Sequence, residues 1–153
     1  MNILDILSEE SILPDIKSAN KKEVVEELAA IAASQNDNLE LELLVEKLME
    51  REKLGSTGVG DGVAIPHAKV SGMEALVAVF GRSIDGVDFD SMDGKKAHLF
   101  FLLVAPDSST GSHLKALARI SRLMQDSAFR AGLMEAKSRE ELFKVFTKED
   151  SKY

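Results

Sequence analysis

Cysteine and tryptophan are both missing from this chain of 153 residues, and tyrosine occurs once. Without cysteine there is no disulfide and no thiolate metal ligand, which suits a reducing compartment such as the cytoplasm. With no tryptophan and only 5% aromatic residues, the chain offers no platform for stacking bases. Positive charge is short as well: 19 lysines and arginines face 26 acidic residues, for a net charge of −7. Nucleic-acid binding wants a basic face, so nucleic acid is not an expected partner. No apolar run reaches the roughly 18 residues that a membrane span requires. The opening "MNILDILSEE" has neither the basic region nor the long apolar core of a secretion signal. The expectation is a cytoplasmic protein without direct membrane insertion, in which any anionic ligand needs a locally positive site.

What is present suffices for a core. Hydrophobic residues make up 44% and charged residues 29%, ordinary for a globular domain of this length. No repeat, low-complexity tract or linker divides residues 1–153, which read as one domain. Ile3, Leu4, Ile6 and Leu7 form a short amphipathic turn, and "SILPDI" is extended, with Pro14 tolerated at a strand edge or end. Asn20 and Glu23 approximate a capping box ahead of Val24, Val25, Leu28, Ala29, Ile31 and Ala32 at helical spacing. Asn38 is placed to cap a second helix carrying Leu41, Leu44, Val45, Leu48 and Met49 on one face. Arg51 and Lys53 occupy its last turn and Gly55 follows as its C-cap.

The period then changes. Asp61-Gly62 signals a two-residue hairpin between "STGVG" and "VAIPH". "ALVAVFGR" and "AHLFFLLVA" read as strands, the second apolar enough to be covered on both faces. Helix resumes with Leu114, Leu117, Ile120 and Met124 on one face, and "SREELFKVF" opens on a capping box at Ser138 and Glu141. The fold class expected is α/β: a mixed β-sheet with helices packed on its faces.

The stretch "GSTGVGDGVAIPHAK", residues 55–69, carries the candidate chemistry. It contains Gly55, Gly58, Gly60 and Gly62 but no Gly-Lys-Ser/Thr ending, so it is not a Walker A loop. Its G-x-G-x-G precedes strand rather than helix, so it is not a dinucleotide fingerprint either. Glycine lets a backbone approach a ligand closely, and exposed N–H groups in such turns cradle anions. Ser56, Thr57, Gly58 and Gly60 are therefore the candidate phosphate loop. Pro66 fixes its own φ and holds Ile65 extended, so His67 leaves a stiff platform. An imidazole there can attack through one nitrogen while the other donates to a carbonyl. A glycine-rich hairpin with an incidental surface histidine explains the same spacing.

The longer segment "REKLGSTGVGDGVAIPHAK", residues 51–69, resembles the phosphorylation-site motif of enzyme IIA domains of the fructose/mannitol class. These belong to the bacterial phosphoenolpyruvate-dependent phosphotransferase system. The resemblance runs from about residue 3 to 146, includes "LFFLLVAP", and is greatest to the standalone nitrogen-regulatory branch. It implies that His67 accepts a phosphoryl group from a histidine phosphocarrier protein, with Arg51 and His113 in the site and no cofactor or metal. Such transfer asks mainly for alignment and for compensation of charge on three equatorial oxygens. Arg51 would bring a planar fork of donors. A neutral His113 near the N-terminus of a helix capped by Ser112 or Thr110 would bring one more. Docking of the donor would use an apolar rim, for which Val59, Val63 and Ile65 are candidates. Downstream, the resemblance implies either regulatory protein targets, with His67 as a switch, or an enzyme IIB receiving the phosphoryl group for fructose- or mannitol-type uptake.

His98 matches no functional position of that family and reads as a strand-end or partly buried histidine. Three histidines without supporting spacing make no zinc site. "DGVDFDSMDGKK" approaches a calcium loop, yet Met92 and Asp93 stand where a ligand and the central glycine belong. It reads as turn chemistry.

Overall fold

A computed structural model describes residues 2–152. Its sheet is mixed. Strand β1 (Ile12–Leu13) runs parallel to β5 (Val77–Val87), which pairs antiparallel with β6 (Ala97–Pro106). On its other side β6 is lined in succession by β3 (Val63–Ala64) and β4 (His67–Val70), both parallel to it, and β2 (Gly58–Gly60) closes the edge antiparallel to β3. Pro66 separates β3 from β4 because it has no N–H for the ladder. Its carbonyl still accepts from Leu103 N–H at 3.0 Å, so the two pieces keep one course beside β6.

Strand β6 shows why its sequence is apolar throughout. Phe100, Leu102 and Val104 join one buried cluster with helices α1 (Lys21–Ser34) and α2 (Leu41–Lys53). Leu99, Phe101 and Leu103 join the other, with α3 (Thr110–Gln125), α4 (Ser127–Glu135) and α5 (Arg139–Asp150). Alternating residues thus feed two cores, and helices cover both faces, as the patterning predicts. The hairpin at Asp61-Gly62 also forms. Both residues have positive φ, 56° and 78°, as a type I′ turn demands.

The caps at Asn20 and Ser138 hold: their side chains accept from the N–H groups of Glu23 at 2.9 Å and Glu141 at 3.1 Å. Asn38 does not cap α2. That helix starts at Leu41 behind Glu40, which makes no side-chain cap bond. Leu39 is buried in the α1–α2 core, so the chain must dip into that core before the helix can begin. Helix α4 and strand β4 go beyond the predicted elements. Asp126 caps α4 by accepting from the N–H groups of Ala128 and Phe129.

Arg82 ties β5 to the segment after β1 and to the end of α4. It is buried, and its guanidinium donates to the carbonyls of Pro14 at 3.1 Å, Leu133 at 2.8 Å and Ala136. The last two belong to the C-terminal end of α4, where a cation meets the negative pole of the helix. Arg82→Met keeps much of the apolar volume but leaves these carbonyls unanswered. It is expected to lower unfolding free energy by about 3 kcal/mol, read from urea denaturation midpoints.

Candidate active site

Three elements each turn one stripe of side chains toward a common cavity of about 680 Å³. Helix α2 supplies Lys47, Glu50 and Arg51, and its C-cap Leu54 continues the stripe at i, i+3, i+4 and i+7. Helix α3 supplies Thr110, His113, Leu114 and Leu117 with the same spacing. Strand β4 alternates in exposure, with His67 and Lys69 reaching the cavity and Ala68 and Val70 buried, although Ala68 also lines the cavity wall. His67, Arg51 and His113 therefore line one cavity, although Arg51 and His113 stand 62 positions apart in the sequence.

The tautomer of His67 follows from its hydrogen bond. Nδ1 lies 2.8 Å from the carbonyl oxygen of Ile65. A carbonyl only accepts, so Nδ1 carries the proton and Nε2 keeps its lone pair. The His113 ring lies 5.4 Å from the His67 ring, centroid to centroid, tilted by 56°. His113 is buried, and its Nδ1 has no hydrogen-bond partner. It sits in the first turn of α3, but that helix begins at Thr110 behind Ser109 rather than behind Ser112 or Thr110. The Ser109 hydroxyl donates to the carbonyl of Pro106 at 2.8 Å, which fixes the turn directly at the end of β6. Arg51 donates through Nη1 to the carbonyl of Gly55 at 2.8 Å.

Both imidazoles are held below the usual histidine value. For His67, burial dominates; the Ile65 carbonyl pulls upward, the Arg51 charge presses further down, and the Glu52 carboxylate opposes it. For His113, burial leads, followed by His67 and Lys69. Both rings are thus predominantly neutral at pH 7. In NMR titrations their midpoints should fall below the reference of about 6.5. The stability consequence has a definite sign: as pH drops through that reference value, the unfolded chain binds protons that the folded chain refuses. Thermal unfolding midpoints should therefore fall as the buffer is acidified past that point, until the folded rings protonate too.

The glycine loop is arranged differently from an anion cradle at His67. None of Ser56, Thr57, Gly58 and Gly60 lines the cavity. The Ser56 hydroxyl donates to the carbonyl of Phe89 and accepts from Gly58 N–H. Thr57 is buried against the Glu52 carboxylate. A Cβ on Gly58 would meet Ser91 Oγ at 2.5 Å, and Gly60, at φ +100°, lies beside Asp93. The loop's glycines let the hairpin pack against residues 88–95.

The apolar rim also differs. Val63 and Ile65 are buried and Val59 is exposed, and all three line a separate hollow with Ser121 and Gln125. Leu54, 85% exposed, and Leu114, 60% exposed, flank the His67 cavity instead. Lys47 and Lys69, which the sequence analysis does not single out, also line the cavity, four positions before Arg51 on α2 and two after His67 on β4. His98 is half-buried on β6, its Nδ1–H donating to the carbonyl of Ser83 at 3.0 Å. In the acidic run, Asp88 accepts from Asp90 N–H and Asp93 from Lys95 N–H. Among the described residues no cluster suited to a metal ion occurs.

Comparison with known proteins agrees with this fold. Residues 5–149 match the family described as phosphoenolpyruvate-dependent sugar phosphotransferase system, EIIA 2. The chain is 43% identical over 145 residues to a nitrogen regulatory protein of Bradyrhizobium diazoefficiens, covering 95% of this chain and 94% of that one. It superposes on the crystal structure of nitrogen regulatory protein IIA-Ntr from Neisseria meningitidis with a TM-score of 0.87 and 35% identity, over 93% of this chain and 97% of that one. The fold is shared, at 21% identity and a TM-score of 0.77, with the complex of mannitol enzyme IIA and phosphorylated enzyme IIB from Escherichia coli, over 94% of this chain and 99% of that one.

Proposed function

The chain belongs to the EIIA 2 family of the phosphoenolpyruvate-dependent sugar phosphotransferase system, and from that premise we propose that it carries a phosphoryl group on His67 Nε2. The group comes from a histidine phosphocarrier protein, and its presence or absence serves a nitrogen or metabolic regulatory role in the cytoplasm. Among the described residues no helix is long and apolar enough to cross a membrane.

The observation that carries this reading is the locked tautomer. With Nδ1–H given to Ile65 O, the Nε2 lone pair is available at neutral pH without prior loss of a proton. Nε2 forms the new N–P bond as the donor's N–P bond breaks, and the released electron pair returns to the donor nitrogen. The Nδ1 proton stays in place, so the protein moves no proton during the step. Charge on the equatorial oxygens is met by the Arg51 guanidinium and by a neutral His113 donating one N–H. Leu54 and Leu114 offer the donor an apolar footing on either side of the cavity.

A relay to an enzyme IIB is the second reading, favoured by the shared fold with the mannitol IIA–IIB complex. Both readings are tested by incubating the chain with labelled phosphoenolpyruvate and the upstream phosphocarriers. Acid-labile, alkali-stable label on the chain is expected. Passage of that label to an enzyme IIB identifies a relay, and label retained while partner affinity changes identifies a switch. No label under conditions that charge the phosphocarrier would sink both.

A further inference from the structure

Glu52 is buried immediately after Arg51, and nothing in phosphoryl chemistry calls for a carboxylate there. Its carboxylate accepts from Thr57 N–H at 3.0 Å, from the Thr57 hydroxyl, and from Lys21 Nζ at 2.9 Å. The bonds continue beyond it. Thr57 C=O accepts from Ile65 N–H at 3.0 Å, and Ile65 C=O accepts from His67 Nδ1–H at 2.8 Å. An unbroken line of hydrogen bonds thus leads from the Glu52 carboxylate, across the β2–β3 hairpin, to the imidazole. A second branch fixes Arg51. Gly55 N–H donates to the carbonyl of Glu52, and Gly55 C=O receives the Arg51 guanidinium.

We propose that Glu52 is the positioning residue of the phosphoryl site, holding the 52–57 turn and the hairpin so that His67 and Arg51 present themselves to the cavity together. The inference rests on His67 being the acceptor. Lys21, from the first turn of α1, completes the clamp. It lies over the Phe89 ring at 4.8 Å and reaches Asp90 at 3.5 Å, so the first core, the turn and residues 88–95 all meet at one buried carboxylate. A residue that only filled space there would not need to be charged, since burying a charge is costly unless it is paired and bonded.

Glu52 also reaches His67 through its field, opposing the downward pull of burial. The other charged or titratable groups around the ring are Arg51, Lys47 and Glu50 on α2, Lys69 on β4, Asp107 and His113. Glu52→Gln keeps an oxygen for Thr57 but removes the charge. Thr57→Val keeps the charge and removes the hydroxyl bond.

With folding checked by circular dichroism, Glu52→Gln should take up label about tenfold more slowly at saturating donor, since small misplacements of reacting groups are costly. Its acid limb, where protonation of His67 stops uptake, should move to lower pH. Thr57→Val, which also secures the test if Glu52→Gln fails to fold, should slow uptake with the limb unmoved. Wild-type rates and limb in a folded Glu52→Gln, or wild-type rates in Thr57→Val, would overturn the inference while leaving His67 as acceptor. So would a loss in Glu52→Gln that merely tracks its unfolded fraction. Absence of label on the wild-type chain would instead overturn the reading of His67.

Discussion

A chain carrying His67→Ala is expected to take up no label from a charged phosphocarrier, while wild type charges fully under the same conditions. The loss should be complete, because no neighbour can replace the ring. His113 shares the cavity, but it is buried and its Nδ1 is enclosed without a partner. Lacking a carbonyl to fix its tautomer, it has no device that keeps a lone pair aimed at incoming phosphorus. His98 has such a carbonyl in Ser83, yet it lines a different hollow with Ser127 and Arg130. The fold should survive, since the change removes one hydrogen bond from a half-buried ring, worth about 1 kcal/mol. Label persisting on a folded His67→Ala chain would move the acceptor elsewhere. A His67→Gln chain separates the two roles of the ring, because its amide N–H can answer Ile65 O but offers no nucleophilic lone pair. It should be as inactive and somewhat more stable than the alanine chain.

How far the sequence discloses this site depends on which residue is considered. His67 was legible because Pro66 and the glycines advertise a constrained loop, and the resemblance over residues 51–69 supplied a role. The sheet was legible in β6, whose lack of alternation betrays two cores, and in Asp61-Gly62, whose φ values only a primed turn accommodates. The site's walls were not. His113 comes within 5.4 Å of His67 only because β4 and the end of β6 run parallel and α3 starts at the top of β6. Register between distant segments leaves no local trace. The start of α2 was misplaced because Asn38 has good capping chemistry, while the burial of Leu39 is a tertiary demand. Glu52 gave no signal, as an acidic residue in a helix's last turn normally reads as solvated surface. The spacing of Gly58 and Gly60 suggests ligand approach, and in the fold the two positions lie against Ser91 and Asp93. Glycine's permissiveness is visible in sequence; what approaches it is not.

Arg51→Ala should leave the fold intact and slow phosphoryl uptake by about 10²–10³-fold, the usual consequence of removing one preorganised donor from developing negative charge. Among the described residues its side chain's hydrogen bond, to Gly55 O, is exposed, so stability should change by no more than about 0.5 kcal/mol. The rate effect has two opposing parts. The guanidinium lowers the His67 value, so its removal makes the ring slightly more basic and, at pH 7, slightly more nucleophilic. That gain is small beside the loss of a planar fork matched to phosphate oxygens. The balance can be read directly. Arg51→Lys keeps the charge and hence the depressed His67 titration, but loses the paired N–H geometry. If geometry governs, lysine should recover only a small part of the rate while restoring the His67 midpoint. If charge alone governs, it should recover most of it. An unchanged uptake rate in Arg51→Ala would remove the guanidinium from the site and leave Lys47 and Lys69, the other cations lining the cavity, to neutralise the transferred group.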